Sequence, residues 1–171
     1  MICGIDPGAR GALALFDGAR LAAVADMPTV SVRVGKTQRA RVNAAELSRI
    51  LRDWAPAHAA VEHVAPRGGP VDRGGDTPMT AGYLMLAAGV VEGVLAALGI
   101  PVTPVDARVW RKAAGITLAS GMTYQDRKEA SRQRALQLFP VQAGYFARKM
   151  DSDRAEAVLV GRWLLGRERG V

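Results

Sequence analysis

Five acidic side chains stand where a carboxylate could do chemistry. Asp6 ends the apolar run Ile2-Cys3-Gly4-Ile5 and is followed by a Pro7-Gly8 turn; Glu62 lies near the end of a second short apolar run, Ala59-Ala60-Val61. Asp153 and Glu156 lie at i and i+3, so they share one face of a helix, and Asp151 precedes them as a helix cap or further ligand. Taken singly, each acid has a plainer use: Asp6 can cap its turn, and the others can cap a helix or face solvent. If the first and fourth strands are neighbours and the last helix crosses their ends, Asp6, Glu62, Asp153 and Glu156 converge. Such a cluster repels itself at neutral pH, and divalent cations would neutralise it. Oxygen-only ligands suit Mg²⁺, with Mn²⁺ as a substitute. Two such ions roughly 4 Å apart can bind both the attacking and the leaving oxygen of a phosphodiester, with no covalent enzyme intermediate.

The elements that must position these acids are legible in outline. Ile2–Asp6 and Gly11–Phe16 read as a strand, a tight turn and an antiparallel strand, and Leu21–Met27 reads as a third strand. Residues 28–41 are polar and basic, with Arg33, Lys36, Arg39 and Arg41. They are expected as an edge strand or a mobile loop, serving either as a solvated linker or as a phosphate-contacting arm. Asn43 and Glu46 have capping-box spacing ahead of a helix with Leu47, Ile50, Leu51 and Trp54 on one side, closed by Pro56. The Glu62 strand follows, then a glycine-rich basic loop over 66–77 with Arg67 and Arg73, placed where a substrate backbone could be gripped.

Thr77-Pro78 opens a long helix to about Leu98, apolar around its whole circumference. Such a helix must be buried, either as a core helix or in part against a second subunit. A strand over 100–105, a helix capped by Asp106 and carrying Arg111 and Lys112, a cationic helix over 126–139 with Lys128, and a last helix from about Asp151 to Gly166 complete the order. Antiparallel strands first and alternating β and α units afterwards predict an α/β fold with a mixed five-stranded sheet covered by helices. His58 has no visible role, and His63 points away from its neighbour Glu62 in a strand.

With 171 residues, one domain spanning 1–171 is expected. The start lacks the basic region of a signal peptide, no uninterrupted apolar run reaches the roughly 18 residues of a membrane span, and the lone Cys3 reads as core filling. A soluble intracellular protein is expected. Lys plus Arg number 23 against 16 Asp plus Glu, a formal net charge of +7. That excess attracts polyanions, although Ala, Arg, Gly and Val usage also carries a composition bias.

The strand Gly4-Ile5-Asp6-Pro7-Gly8 with Gly11, the Val61-Glu62 strand and the helix Asp153-Arg154-Ala155-Glu156-Ala157 resemble the RuvC-type Holliday junction resolvases of the RNase H-like superfamily, in particular the phage-encoded branch. The segment Gly89 to Gly99 shares that resemblance, as do Trp110-Arg111-Lys112 and Lys128-Glu129-Ala130-Ser131. The resemblance implies an RNase H-like fold, a homodimer through the 78–98 helix, and Mg²⁺-dependent paired nicking of four-way DNA junctions in the cytoplasm, on the nucleoid. Two sites related by a two-fold axis can cut two strands of like polarity. Asp6, Glu62, Asp153 and Glu156 would be the catalytic metal ligands. Lys36, Arg39, Arg41, Arg67, Arg73, Arg111, Lys112 and Lys128 would meet DNA, with Lys112 and Lys128 holding the scissile phosphate, steadying the acids or simply facing solvent. Bacterial members usually carry Asp, or His and Asp, on the last helix, so Glu156 is a departure and Asp151 an alternative to Asp153. A basic junction binder without hydrolysis is the rival reading. An actin-like phosphotransferase would need a second phosphate-binding motif and a much longer chain.

Overall fold

A computed structural model describes residues 1–170; the side chain of Arg73, and with it the DNA contact expected there, lies outside the described residues. Strands β1 (Ile2–Asp6), β2 (Ala12–Asp17) and β3 (Arg20–Asp26) form an antiparallel meander. Pro7, which has no N–H to donate, ends β1. Gly11 follows because a Cβ there would meet the Asp6 carbonyl oxygen at 2.0 Å, so the chain can double back only through glycine. Beyond β1 the sheet turns parallel, through β6 (His58–His63) and β7 (Val102–Asp106), giving the order β3-β2-β1-β6-β7. The mixed five-stranded sheet read from the sequence is the one observed.

The basic stretch over 28–41 is strand rather than loop, but it does not edge the large sheet. It forms a hairpin of its own, β4 (Thr29–Val34) and β5 (Thr37–Val42), in a separate two-stranded sheet. The cause is local: Val30, Val32 and Val34 alternate with polar residues, and Gly35 at φ +60° makes the two-residue turn with Lys36. Helices α1 (Ala44–Trp54) and α2 (Pro78–Ala97) cover one face of the large sheet, packing on Cys3, Ile5, Leu13 and Val61. The other face carries α3 (Ala107–Ala113), α4 (Tyr124–Leu138) and α5 (Ser152–Glu168), packed on Ile2, Ala14, Phe16 and Ala60.

Strand alternation sets which residues look at which layer. In β1 the odd positions face α1 and α2, and the even positions Ile2, Gly4 and Asp6 face α5. In β6, Ala59 and Val61 face the first layer, while Ala60 and Glu62 face α5. α5 sits unusually close to β1 because glycine meets glycine. A Cβ on Gly4 would lie 2.2 Å from the Ala157 carbonyl oxygen and the Gly161 nitrogen. Gly4→Ala therefore has to push a helix backbone off a strand. It is expected to destabilise the fold by about 3 kcal/mol, the upper part of the overpacking range. Urea unfolding checks this, and a loss below about 0.5 kcal/mol would show that α5 is not seated on β1 here.

Two expectations about helices need correction. The cationic helix begins at Tyr124 rather than Asp126, because Thr123 is the true cap: it accepts from the Asp126 N–H while Asp126 accepts from the Thr123 N–H, a reciprocal capping box. α2 is not buried all round. Only 28% of its most apolar 18-residue stretch is buried, and Met79, Met85 and Leu86 are exposed. By length and composition alone α2 could cross a membrane, yet here it packs against α1 and β5. His58 gains a role, its ring nitrogens bridging Glu168 and Thr103 at 2.9 Å each and tying the end of α5 to β7.

Candidate active site

Ile5 pairs with Val61 in the parallel register, which carries Asp6 alongside Glu62 at the C-terminal ends of two adjacent strands. The N-terminal end of α5 crosses the same ends and contributes Asp153 and Glu156. One carboxylate oxygen from each of Asp6, Asp153 and Glu156 lies within 4.8 Å of the others. Glu62 lines the same cleft, a hollow of about 480 Å³ whose walls carry Arg10, Arg67, Arg111, Tyr124 and Arg127.

Lys128, on α4, enters this cluster from the side. Its ammonium donates to Asp153 Oδ1 at 2.6 Å and to Glu156 Oε2, and lies 3.7 Å from Asp6 Oδ2, with its side chain only 13% exposed. Glu156 is further held by Ser131 Oγ at 3.0 Å and Arg111 Nη2 at 3.2 Å. Burial pushes the Asp6 carboxyl up to about 6, with Lys128 opposing and Glu156 and Asp153 adding to the rise. Burial, then Asp6 and Glu156, push Glu62 up to about 8. Burial by itself would lower the Lys128 pKa, but Glu156, Asp6 and Asp153 outweigh it and hold it above the lysine range.

These donors fit hard divalent cations. They are carboxylate oxygens alone, they crowd closely enough to help raise the Asp6 and Glu62 carboxyls, and the position they surround already holds a positive charge. The sign of the pH dependence follows. A carboxyl whose folded pKa is raised stabilises the fold below its unfolded pKa and loses that contribution as pH climbs through the folded value. Without metal, Asp6 and Glu62 together are expected to lower the melting temperature as pH rises from about 4 to about 8. Mg²⁺ is expected to raise it more at pH 8 than at pH 5.5. Melts in EDTA and in Mg²⁺ check this, and an equal Mg²⁺ effect at both pH values would contradict it.

The other residues expected at the site divide between the cleft and the surface around it. Asp151 does not join the cluster. It is 2% exposed and bound by Arg148 at 2.7 Å, with Arg154 at 3.7 Å, so it anchors the short turn ahead of α5. Lys128 and Arg111 are turned inward onto the acids, which for Lys128 is the steadying place among its stated alternatives, and Arg111 also stacks on Trp110 at 4.6 Å. Arg67 is on the cleft wall, its guanidinium paired with Asp76 at 2.8 Å and 62% exposed. Lys36 is exposed at the β4–β5 turn, while Arg39 and Arg41 lean over Tyr83 of α2 at 5.7 and 5.9 Å. Lys112 is exposed beside a different hollow. His63 is exposed at the cleft edge, outside the acid cluster. Arg10, Ser131, Tyr124 and Arg127 belong to the site without having been singled out for it. Only Ser131 carried a readable signal, at i+3 from Lys128 on one helix face.

No protein-family model and no curated protein sequence matches the chain. Among solved structures it is similar to Thermus thermophilus RuvC in complex with a Holliday junction substrate, at 16% identity and a TM-score of 0.57, covering 99% of this chain and 96% of that one. It is similar also to a second Thermus thermophilus RuvC structure, at 17% identity and a TM-score of 0.55 over the same shares. The chain has the RuvC fold. On that fold Asp6 and Glu62 lie at the C-terminal ends of β1 and β6, and Asp153 and Glu156 lie near the start of α5.

Proposed function

We propose that the chain is one nuclease domain, a metal-dependent endodeoxyribonuclease that resolves four-way DNA junctions as a homodimer. The observation that carries this reading is the convergence of Asp6, Glu62, Asp153 and Glu156 from three elements into one cleft walled by Arg10, Arg67 and Arg127. Acids alone would repel DNA. Guanidinium groups around them give the phosphate backbone a place to sit. The RuvC fold and the net charge of +7 support the same reading.

Asp6, Glu62, Asp153 and Glu156 would hold a pair of Mg²⁺ ions, which when bound supply the Lewis acidity for water attack and for departure of the 3′ oxygen. The chain's own residues do the rest. Arg67 and Arg127 grip the phosphates flanking the scissile one. Ser131 and Arg111 fix the Glu156 carboxylate, and Lys128 keeps the acids together before loading. The basic β4–β5 hairpin, tipped by Lys36, is the arm that follows a duplex branch. Met79, Met85 and Leu86 on α2 supply a dimer surface, and Gly82, Gly89 and Gly93 lie in open space where a second backbone could approach. The place of action would be the cytoplasm, on the nucleoid.

One observation favours a junction binder without hydrolysis: Lys128 already places a cation among the acids. A labelled four-way junction incubated with the protein separates the two. The nuclease cuts paired strands symmetrically in Mg²⁺ and not in EDTA; the binder shifts the junction and leaves every strand intact.

A further inference from the structure

The stretch Thr29–Val42 carries Arg33, Lys36, Arg39 and Arg41 and no acidic residue. It stands outside the large sheet as a two-stranded ribbon of its own. One face of the ribbon lies toward α2, where Arg39 and Arg41 lean over Tyr83. Strand alternation puts Ser31, Arg33, Gln38 and Ala40 on the other face, and all four are exposed. Arg33 sits directly across from Gln38, and Ser31 directly across from Ala40.

The polar groups on this open face are held in place. Ser31 Oγ donates to Gln38 Oε1 at 2.9 Å, which leaves the Gln38 amide nitrogen free to donate and its oxygen able to accept once more. Arg33 Nε donates to the Gly35 carbonyl at 3.3 Å, which steadies the side chain and leaves its two terminal nitrogens for a partner. No acid pairs with Arg33 among the described residues. Ser31 and Ala40 are small, so a surface can come close to the Arg33–Gln38 pair.

A two-stranded ribbon fits the major groove of B-DNA, about 12 Å wide, better than the minor groove at about 6 Å. An unpaired guanidinium fork matches O6 and N7 of guanine, and a glutamine amide matches N6 and N7 of adenine. A second copy of this chain would bring the same positive charge to the same face and be repelled.

We propose that the β4–β5 hairpin enters the major groove of a duplex arm, with Arg33 reading a guanine and Gln38 an adenine, and so makes the protein prefer some arm sequences over others. The proposal rests on the DNA-junction reading above and deepens it by naming the groove and the bases. Lys36 at the tip, with Arg39 and Arg41 behind, supplies charge for the phosphates that border the groove.

The test is modification interference on four-way junctions with randomised arms, bound by the whole protein in EDTA so that no strand is cut. Dimethyl sulfate marks guanine N7 in the major groove and adenine N3 in the minor groove, and ethylnitrosourea marks phosphates. Guanine N7 methylation in an arm, away from the branch point, is expected to block binding of the wild-type protein. Arg33→Ala is expected to erase that guanine signal and weaken binding to the preferred arm about tenfold. Lys36→Ala is expected to weaken binding while keeping the guanine signal, as a phosphate contact would. Interference by phosphate ethylation or adenine N3 methylation alone would overturn the major-groove reading, and a guanine signal that survives in Arg33→Ala would overturn its assignment to the hairpin. A protein that shows the expected guanine pattern but cuts no junction in Mg²⁺ would support the groove contact and overturn the nuclease reading; one that binds no DNA would overturn both.

Discussion

Asp6→Asn is expected to lower junction cleavage by about 1,000-fold or more while junction binding persists. The substitution keeps the size of the side chain and an acceptor for the Gly8 N–H, which lies 3.3 Å from Asp6 Oδ1, but removes the charge. Burial already raises the Asp6 carboxyl to about 6, so the metal-free fold gains nothing from its ionisation and an amide is well tolerated. A ligand that helps bind two metal ions contributes several kcal/mol of transition-state stabilisation, and each 1.36 kcal/mol is tenfold in rate. Single-turnover cleavage of a labelled junction in Mg²⁺ measures the loss. A wild-type rate would remove Asp6 from the mechanism. Glu62→Gln and Glu156→Gln are expected to behave alike in direction, and each would be removed on the same evidence.

Lys128→Met is the substitution with the largest expected cost in stability. It leaves Asp6, Asp153 and Glu156 facing one another with no cation among them. Breaking a buried ion pair from one side costs about 3–5 kcal/mol, and with 13% of the Lys128 side chain exposed, solvent screens little of it. Because its folded pKa is raised, Lys128 contributes in full below its unfolded pKa and loses the contribution only in strongly alkaline solution. At neutral pH the loss in the variant is therefore complete. It is expected to shrink at pH 5, where protonation of Asp6 relieves the repulsion, and in Mg²⁺, where bound ions replace the missing charge. Urea unfolding in EDTA at pH 8 and pH 5, and in Mg²⁺ at pH 8, checks all three expectations. A loss below about 1 kcal/mol at pH 8 would show that the acids tolerate one another unaided.

The strands and helices that carry the acids were readable because each announces itself locally. Asp6 follows an apolar run and precedes Pro7, and Asp153 and Glu156 are one helix turn apart. The β1–β6 pairing that sets Asp6 beside Glu62 could be stated only as a condition, since register between parallel strands is a tertiary fact. The fate of the cations was less legible. For Lys128 the choice between holding phosphate, steadying the acids and facing solvent stayed open, and Arg111 was expected on DNA, because nothing along the chain marks which face of α3 or α4 meets α5. Asp151 resembles a ligand by position alone, and its partner Arg148 became visible only with the turn that joins them. The β4–β5 hairpin escaped because its valines alternate with so many charged and polar residues that the run reads equally as an edge strand or a mobile loop.

The central claim is that carboxylates from β1, β6 and α5 form a divalent-metal site. Diffraction from crystals soaked in Mn²⁺, with data collected for anomalous signal, tests it most directly. Two anomalous peaks within ligand distance of Asp6, Glu62, Asp153 and Glu156, with the Lys128 ammonium displaced from among them, are the result this account predicts. Manganese bound elsewhere, or a Lys128 ion cluster unchanged at saturating Mn²⁺, would contradict it.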